Sequence, residues 1–347
     1  MEAKSEFHSF ADFDRFRETL RGWDTEPTQL TSGKLSLHWD QLAFDDMSIS
    51  RLRTNLKIAD RMAYRAHHIG FVVCLGSKIF CGQPVCAGSL VVFRPGREYR
   101  NVLDENWESF EISMASRLFQ SLSFATDVDR RIAQGPECSV LSLSPHLAAA
   151  FRAWSANFLA PFRLQPGLMD ELNWTSAIRE HTLSLLTQIF HDSGCASLDV
   201  GPLDHVQGWS LAARALDYVD QHAHDRLTIQ QISQAMDRTT RALEIAFNRA
   251  LGIAPLQYVL ARRLHNVRRD LLLRTNGTPT VTHTAAHHGF VHFGRLSQQY
   301  RRLFGELPSE TVMRASNVAV NRTCRRQPVA FLTNEDCEKC TWLGGTA

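Results

Sequence analysis

Polar side chains recur at helical spacing in the segment that follows Thr239. Arg241, Glu244 and Asn248 stand three or four residues apart, which places them on one face of a helix. Guanidinium, carboxylate and amide groups are suited to hydrogen bonds with base edges and phosphates. The apolar residues between them define the opposite face: Leu243, Phe247 and Leu251. The segment is therefore predicted to be a helix with a buried stripe and an exposed face that contacts nucleic acid.

The elements that must position this face are a shorter helix and a tight turn. Thr228 can cap the short helix, and Thr239 can cap the helix that follows. Asp237 and Arg238 between them fit a tight turn. An amphipathic helix over residues 209–222 would buttress the pair. This is the helix-turn-helix arrangement, which presents its second helix to the major groove of DNA.

The same pattern returns nearer the C-terminus. Thr280 can cap a short helix that runs through His287, and Gly289 can supply the turn before a helix over residues 292–304. Three pairs of residues occupy equivalent positions in the two units: Leu243 and Leu296, Phe247 and Tyr300, Gly252 and Gly305. The repeat predicts two successive reading helices.

One long amphipathic helix is predicted between the two units, from Pro255 to about Arg274. At 1.5 Å per residue it would be roughly 28 Å long, close to the roughly 34 Å repeat of B-DNA. It could therefore hold two readers near successive major grooves. Four of its arginines are predicted to be exposed, as a solvated face or as phosphate contacts: Arg262, Arg263, Arg268 and Arg269.

Positive charge is concentrated in this part of the chain. Residues 209–316 hold 14 Arg, no Lys and 8 Asp or Glu, a net charge of +6, so the rest of the chain carries −4 within the total of +2. A cationic face on a mildly acidic protein fits binding to the phosphate backbone. A solvated arginine-rich surface would give the same count.

The region from Ser210 to Arg314 resembles the AraC type of bacterial transcription regulator. Three stretches carry the resemblance: LTIQQISQAM at 227–236, LEIAFNRALGIAPLQYVLARRL at 243–264 and HHGFVHFGRLSQQYRRLFGELPSET at 287–311. One departure is Asp237, where the family often has Gly, but Asp tolerates a left-handed backbone. The resemblance implies two helix-turn-helix motifs joined by a linker helix, and a cupin-like N-terminal domain for effector sensing and dimerisation.

The resemblance also implies which residues read bases. They are Arg241, Glu244, Ile245 and Asn248 in the first motif, and His292, Phe293, Gly294, Ser297 and Gln298 in the second. The wider predicted DNA-contacting set adds Thr239, Thr240, Arg249, Arg295, Arg301 and Arg302. Because the second motif has Phe and Gly where longer polar side chains could sit, we expect the first motif to discriminate sequence and the second to anchor phosphates.

The N-terminal part of the chain has a different pattern. Short apolar runs broken by Gly and Pro predict strands of one β domain, at residues 35–39, 47–52, 69–75, 90–93 and 110–114. Helical spacing over residues 145–190 predicts a hairpin that dimerises or packs on the β domain. The predicted fold is α+β in two domains: a cupin-like β-barrel with a helical hairpin over 1–190, a linker over 191–208, an all-α double helix-turn-helix domain over 209–316, and a loosely ordered tail over 317–347.

A pocket in the β domain is predicted to bind a small-molecule effector. Six residues are candidates for its lining, although each type is also common in cores and rims: Arg53, Tyr64, His67, Arg94, Tyr99 and Trp107. A metal-dependent enzyme would need His and carboxylate ligands that converge, and the segment after Gly96 has no His, so no metal and no cofactor is predicted. Cys337 and Cys340 have the spacing of half a zinc site and are assigned to the tail.

The favoured interpretation is an effector-controlled transcription regulator that is not an enzyme. It would bind double-stranded operator or promoter DNA as a homodimer and, if an activator, contact RNA polymerase. The alternatives are an enzyme with a catalytic cupin-like N-terminal half fused to a DNA-binding module, and an architectural DNA binder without a ligand. The chain has no long apolar run and no signal-peptide pattern, which predicts a soluble, cytoplasmic, nucleoid-associated protein without a membrane partner.

Overall fold

A computed structural model of the protein describes residues 4–19, 24–126, 139–158, 160–165, 168, 172–191, 206–222, 226–273 and 280–315. Most of the predicted linker and the whole predicted tail, with Cys324, Cys337 and Cys340, lie outside these residues. No helix in the described ranges is both long enough and apolar enough to cross a bilayer.

Thirteen strands lie in the N-terminal half, and their bounds are β1 Lys4–Phe10, β2 Asp24–Thr25, β3 Thr28–Gln29, β4 Leu37–Ala43, β5 Met47–Thr54, β6 Ile58–Ala63, β7 His68–Cys74, β8 Lys78–Phe80, β9 Gln83–Val85, β10 Ser89–Phe93, β11 Glu98–Leu103, β12 Trp107–Ala115 and β13 Ser139–Ser142. They form two antiparallel sheets. The first, here called sheet A, has the order β1-β4-β5-β12-β7-β10-β13. The second, sheet B, has the order β2-β6-β11-β8-β9, with β3 also paired to β6.

The helices of the described residues have the bounds α1 Phe13–Thr19, α2 Ser116–Gln120, α3 Pro145–Asn157, α4 Ala160–Leu164, α5 Leu172–His191, α6 Trp209–Gln221, α7 Ile229–Ala235, α8 Thr240–Leu251, α9 Pro255–Leu272, α10 Val281–His287 and α11 Phe293–Phe304. A further helical segment covers residues 308–315. The predicted α+β class and the all-α C-terminal domain are confirmed.

The elements stack in layers. Helices α2 to α5 cover one face of sheet A, where Phe71 and Phe110 share a buried cluster with Phe151 and Leu186. The other face of sheet A packs against sheet B. The outer face of sheet B contributes Ala59 and Val102 to the core of the C-terminal domain. Sheet B therefore separates the interior of the N-terminal domain from the C-terminal domain.

All five predicted apolar runs became strands of sheet A, and the strands of sheet B were missed. Sheet A is covered on both faces, so strands such as β7 and β10 are apolar almost throughout. The strands of sheet B read IADRMA and EYRNVL, which lack apolar alternation. Their polar residues face a cavity on one side and charged groups of the C-terminal domain on the other, so local hydrophobicity could not reveal them.

The helical hairpin forms as predicted from α3 and α5, with the short helix α4 between them. Its apolar stripe is buried against sheet A, with Leu147 at 2% exposure and Ile189 at 0%. Packing on the β domain therefore accounts for these apolar positions. Dimerisation through the hairpin stays a prediction.

The C-terminal helices begin and end at the predicted signals. The Thr228 hydroxyl accepts from the Gln231 N–H at 3.3 Å in a capping box at the start of α7. Gly252 and Gly305 end the two reading helices with φ of 74° and 69°, in the left-handed region that Gly adopts without strain. The duplicated pattern in the sequence is thus a duplicated structure.

The turn of the first motif contains a strained position at Asp237, which has a φ of 52°. We expect Asp237→Gly to raise the free energy of unfolding by about 0.5 to 1 kcal/mol, because Gly adopts this conformation without a Cβ penalty. Asp237→Val should lower it, since a β-branched residue resists a positive φ. Urea denaturation of the three proteins checks this, and a loss of stability in Asp237→Gly would contradict it.

Candidate nucleic-acid interface

The first candidate reading surface is the exposed face of α8. The Thr239 hydroxyl accepts from the Ala242 N–H at 3.2 Å, so the helix begins at the predicted cap. The predicted base-reading side chains lie together on the solvent side of the helix: Arg241, Glu244, Ile245 and Asn248. Thr240 is half-buried in the first turn, and Arg249 is exposed but donates to the Gln207 side chain. The helix therefore presents a guanidinium, a carboxylate and an amide along one line.

The opposite face of α8 fixes its orientation. Leu243 and Phe247 are fully buried, and the Phe247 ring meets the Tyr258 ring of α9 edge to face with centroids 6.2 Å apart. Trp209 and Leu216 of α6 pack into the same cluster. A helix held by this many apolar contacts keeps its polar side chains in a fixed register toward solvent.

The second candidate reading surface is the first turn of α11. His292 occupies the cap position, Phe293 is 40% exposed, and a Cβ added at Gly294 would meet no atom within 4 Å. Arg295 and Gln298 are exposed, and Ser297 is half-buried. A duplex could approach this turn closely because Gly294 adds no side chain.

The last turn of α11 is cationic, and its inward face is closed. Arg301 and Arg302 are both exposed, and they end a helix that has no acidic residue in its first turn. Leu296 and Tyr300 are buried beneath them, and the Tyr300 hydroxyl lies 2.8 Å from the Thr311 hydroxyl. The exposed face of α8 therefore combines a guanidinium, a carboxylate and an amide, whereas the exposed charges of α11 are all cationic, and the roles of the two helices stay a prediction.

The expectation that α9 exposes four arginines is wrong for two of them. Arg262 is 8% exposed and Arg268 is 5% exposed. Arg263 is half-buried, donates to the His288 carbonyl at 2.7 Å, and lies over the Phe290 ring. Arg269 is also half-buried. The N-terminal domain covers Arg262, whereas Arg268 pairs with Glu306 at 2.9 Å and lies over the Phe304 ring, and helical periodicity reveals neither contact.

A buried ionic network joins the two domains, centred on Asp220 of α6. Asp220 is paired with Arg100 of sheet B at 3.1 Å and with Arg262 of α9 at 2.9 Å. It also accepts from the Tyr258 hydroxyl at 3.1 Å. Burial and this neighbouring carboxylate raise the pKa of Tyr258, which stays a neutral donor. Here one carboxylate contacts two guanidinium groups from different domains.

Arg262 is also held by the N-terminal domain directly. Its guanidinium donates to the Thr28 hydroxyl at 3.0 Å and lies 3.5 Å from the Glu26 carboxylate. One turn farther along α9, the backbone N–H of Gln29 donates to His265 Nε2 at 2.9 Å. Burial and three neighbouring arginines lower the pKa of His265 well below its usual range, so the ring stays neutral and accepts this bond.

Apolar and backbone contacts complete the interface. Trp209 is 7% exposed and lies so close to Gly82 that a Cβ there would be 2.4 Å from the indole ring. At the end of α11, the Leu303 carbonyl accepts from the Gly33 N–H at 3.0 Å. Arg314, in the segment that follows, pairs with the buried Asp12. Both helix-turn-helix motifs are therefore anchored to the N-terminal domain, on sides away from their reading faces.

A cavity of about 90 Å³ lies between the two sheets of the N-terminal domain. Of the six residues predicted to line an effector pocket, Trp107 alone lines it. Arg53 pairs with Asp40 at 3.2 Å on the face of sheet A that points away from sheet B, since its neighbours in the strand, Leu52 and Ser50, face the cavity.

The other four candidates lie around the cavity and not on its surface. Tyr64 is buried, and its hydroxyl donates to the cavity-lining Glu111 at 3.1 Å. Tyr99 is buried, and its hydroxyl accepts from the Arg94 N–H at 2.7 Å. His67 is exposed in a turn with a φ of 65°. Residue type alone does not place a side chain in the cavity, because strand register decides which side of the sheet it faces.

Sequence analysis missed two features that define this part of the molecule. Asp220 read as one more polar residue on an amphipathic helix, although it is the centre of the domain interface. Lys78 stands in a short strand that apolar patterning did not detect, although it lies inside the cavity. In both cases the local sequence shows a charged residue beside residues that are buried. Its role becomes clear once the elements packed against it are known.

The C-terminal region is similar to known regulators. A family model described as a helix-turn-helix domain matches residues 232–314. The probable thc operon regulatory protein of Rhodococcus erythropolis is 34% identical over 96 residues, which is 28% of this chain and 29% of that protein. The XylDLEGF operon transcriptional activator 2 of Pseudomonas putida is 29% identical over 116 residues, which is 33% of this chain and 74% of that protein.

One solved structure is also similar over part of the chain. A probable AraC family transcriptional regulator from Rhodopseudomonas palustris is 30% identical, over 30% of this chain and 97% of the solved chain, with a TM-score of 0.29. Since the match covers less than a third of the Rhodococcus protein, the similarity concerns the C-terminal domain. Residues 232–314 thus have the sequence and the structure of a helix-turn-helix DNA-binding domain.

Proposed function

We propose that this chain is a transcription regulator of the AraC type and binds operator or promoter DNA sequence-specifically through α8 and α11. The observation that carries the proposal is the duplicated motif with two solvent-exposed reading faces. The linker helix α9 between them has 18 residues, or about 27 Å of length, which suits readers placed in successive major grooves.

The proposal assigns unequal roles to the two faces. In α8, Arg241, Glu244 and Asn248 can donate to or accept from base edges in the major groove. In α11, Arg295, Arg301 and Arg302 supply charge for the phosphate backbone, while Phe293 and Gly294 allow a close approach. The first motif then provides most of the discrimination and the second most of the electrostatic anchoring.

The N-terminal domain supplies the control. Its cavity is separated from the DNA-binding domain by the thickness of sheet B, so a ligand in the cavity can alter the surface on which α6 and α9 rest. The relatives from Pseudomonas are named transcriptional activators, and we infer activation here, with RNA polymerase as the partner on the promoter. A homodimer would place two DNA-binding units on repeated or inverted half-sites.

Replacing Arg241 by alanine tests the role of α8. If its guanidinium makes a bidentate contact with a base, the substitution should weaken operator binding by about 1 to 3 kcal/mol and relax preference at one base pair. Fluorescence anisotropy with a set of operators, each changed at one position, measures this. Arg214→Ala removes an exposed arginine from α6 and is the matched control, expected to leave the base preferences unchanged. Equal weakening on every sequence would contradict a base-reading role for Arg241.

A further inference from the structure

The interior of the N-terminal domain is polar where a double-sheet core is ordinarily apolar. On sheet A, Gln41, Ser50 and Glu111 are neighbours across three strands and all line the cavity. On sheet B, Asp60 and Asn101 are paired across two strands and line the opposite wall. Two polar rows that face each other inside a core cost folding free energy, because each group loses hydration. Such an arrangement is typical of a binding site.

Lys78 is the unusual member of this lining. It is 4% exposed, and its ammonium lies 4.8 Å from the centroid of the Phe80 ring and 5.0 Å from that of the Trp107 ring. Within the described part of the chain its ammonium makes no hydrogen bond and no ion pair with a carboxylate. The nearest groups to this ammonium are thus aromatic rings, and no anion in direct contact with it compensates its lost hydration.

The carboxyl groups of the cavity fill this role only in part: Glu111 is near enough to interact electrostatically with Lys78, but neither Glu111 nor Asp60 forms an ion pair with it, and each has its own donor. Glu111 accepts from the Tyr64 hydroxyl at 3.1 Å, and Asp60 accepts from the Thr25 hydroxyl at 2.7 Å. Burial raises the pKa of Glu111 to about 7 and that of Asp60 to about 6, so both carry less negative charge than exposed carboxyls do. What the cavity lacks is therefore an anion in contact with Lys78, and not a cation beside the carboxyl groups.

A second unpartnered atom lies on the same wall. Asn101 is 4% exposed, and its Oδ1 has no hydrogen-bond partner among the described residues, while its Nδ2 faces Met62 Sδ at 3.2 Å. On β11, Asn101 and Leu103 face the same side, and Leu103 is paired with Lys78 across the strands. Lys78 and Asn101 are thus diagonal neighbours, a donor and an acceptor directed into one space.

We propose that this cavity binds a small organic acid, with the carboxylate of the ligand at the Lys78 ammonium and its apolar body against Trp39, Met62 and Trp107. The cavity of about 90 Å³ admits roughly six to nine non-hydrogen atoms, since one water-sized group needs roughly 10 to 15 Å³. A hydroxyl group elsewhere on the ligand would donate to Asn101 Oδ1. The inference rests on the proposed function, because it names the chemical class of the effector.

The site is placed to act on the DNA-binding domain. Asn101 and Asp60 face the cavity, whereas their neighbours in the strands, Arg100 and Ala59, face α6 on the other side of sheet B. Thr25, which bonds Asp60 in the cavity, directly precedes Glu26, which pairs with Arg262 of α9. An acid that moves Asp60 or Asn101 therefore moves residues that hold the linker helix.

The test is binding of hexanoate and cyclohexanecarboxylate to the full chain without DNA, by calorimetry and by the fluorescence of Trp39 and Trp107. We expect saturable binding of an acid, and weaker binding of hexanamide and hexylamine. Lys78→Met should weaken acid binding roughly tenfold to a hundredfold, as expected for loss of a charge-assisted contact. It should fold, because an apolar side chain of similar length replaces an uncompensated charge.

Lys57→Met is the matched control, since it removes a lysine that precedes β6, is paired with Asp104 at 3.3 Å, and does not line the cavity. Its acid affinity should equal that of the unsubstituted chain. Absence of saturable acid binding, preference for hexylamine, or equal affinities in Lys78→Met and Lys57→Met would overturn the proposal. Failure of the chain to bind DNA would contradict the proposed function and leave this ligand measurement unaffected.

Discussion

Asp220→Ala should lower the free energy of unfolding by about 3 kcal/mol, the lower end of the range for breaking a buried ion pair. The reason is that Arg100 and Arg262 would lose the buried carboxylate that both contact, at 3.1 Å and 2.9 Å. The loss stays at the lower end because Arg100 keeps Asp217 and Arg262 keeps Glu26. Urea denaturation of the full chain measures the effect, and separate transitions for the two domains would show directly that the interface had opened.

Asp217→Ala is the matched control for that experiment. Asp217 contacts the same guanidinium of Arg100, but its side chain is 49% exposed, whereas that of Asp220 is 8% exposed. An exposed pair contributes about 1 kcal/mol or less, so Asp217→Ala should cost little. Equal losses of unfolding free energy in the two variants would show that the burial of Asp220 adds nothing to its contribution. The ionic network would then not be what joins the domains.

Replacing Arg295, Arg301 and Arg302 together by alanine should weaken DNA binding by about two orders of magnitude at 0.15 M salt, nearly equally on operator and random DNA. Each phosphate contact contributes roughly 0.9 to the slope of log affinity against log salt, so the slope should fall by roughly 2.7. All three residues lie exposed on α11. Anisotropy titrations between low and physiological salt determine both quantities.

A control variant with the same change of net charge distinguishes direct phosphate contacts from the effect of the protein's overall charge. Arg15, Arg152 and Arg214 are exposed on α1, α3 and α6, away from both reading faces. Their combined replacement by alanine should leave the salt slope nearly unchanged, because charges beyond a Debye length of the duplex are screened. If both triple variants lose the same slope, α11 does not lie on the phosphates.

The sequence predicted the C-terminal domain far better than the N-terminal one, for a physical reason. Several helices of the double motif carry their own start and stop signals, such as Thr239 and Gly252 for α8, and these act within one turn of the chain. Its core residues, such as Phe247 and Tyr300, follow the helical period. A local pattern therefore determines where the reading faces lie.

Sheet B and the cavity depend on contacts between distant parts of the chain. β11 has polar residues on both faces, Asn101 toward the cavity and Arg100 toward Asp220, so no alternation of apolar and polar residues marks it as a strand. For the same reason Arg262 read as a solvated residue, although its partners Thr28 and Glu26 are more than 200 positions away in the sequence. The periodicity of one segment cannot predict contacts between residues so far apart in the sequence.

The central claim is that two reading helices on one domain recognise a particular DNA sequence. Competition anisotropy at fixed physiological salt, with DNA from upstream of the neighbouring operon against shuffled DNA of equal length, tests it most directly. The account predicts a preference of roughly a thousandfold or more for the operator, with footprints in two major grooves one helical turn apart. A ratio near one, whatever the absolute affinity, would contradict it and indicate an architectural DNA binder.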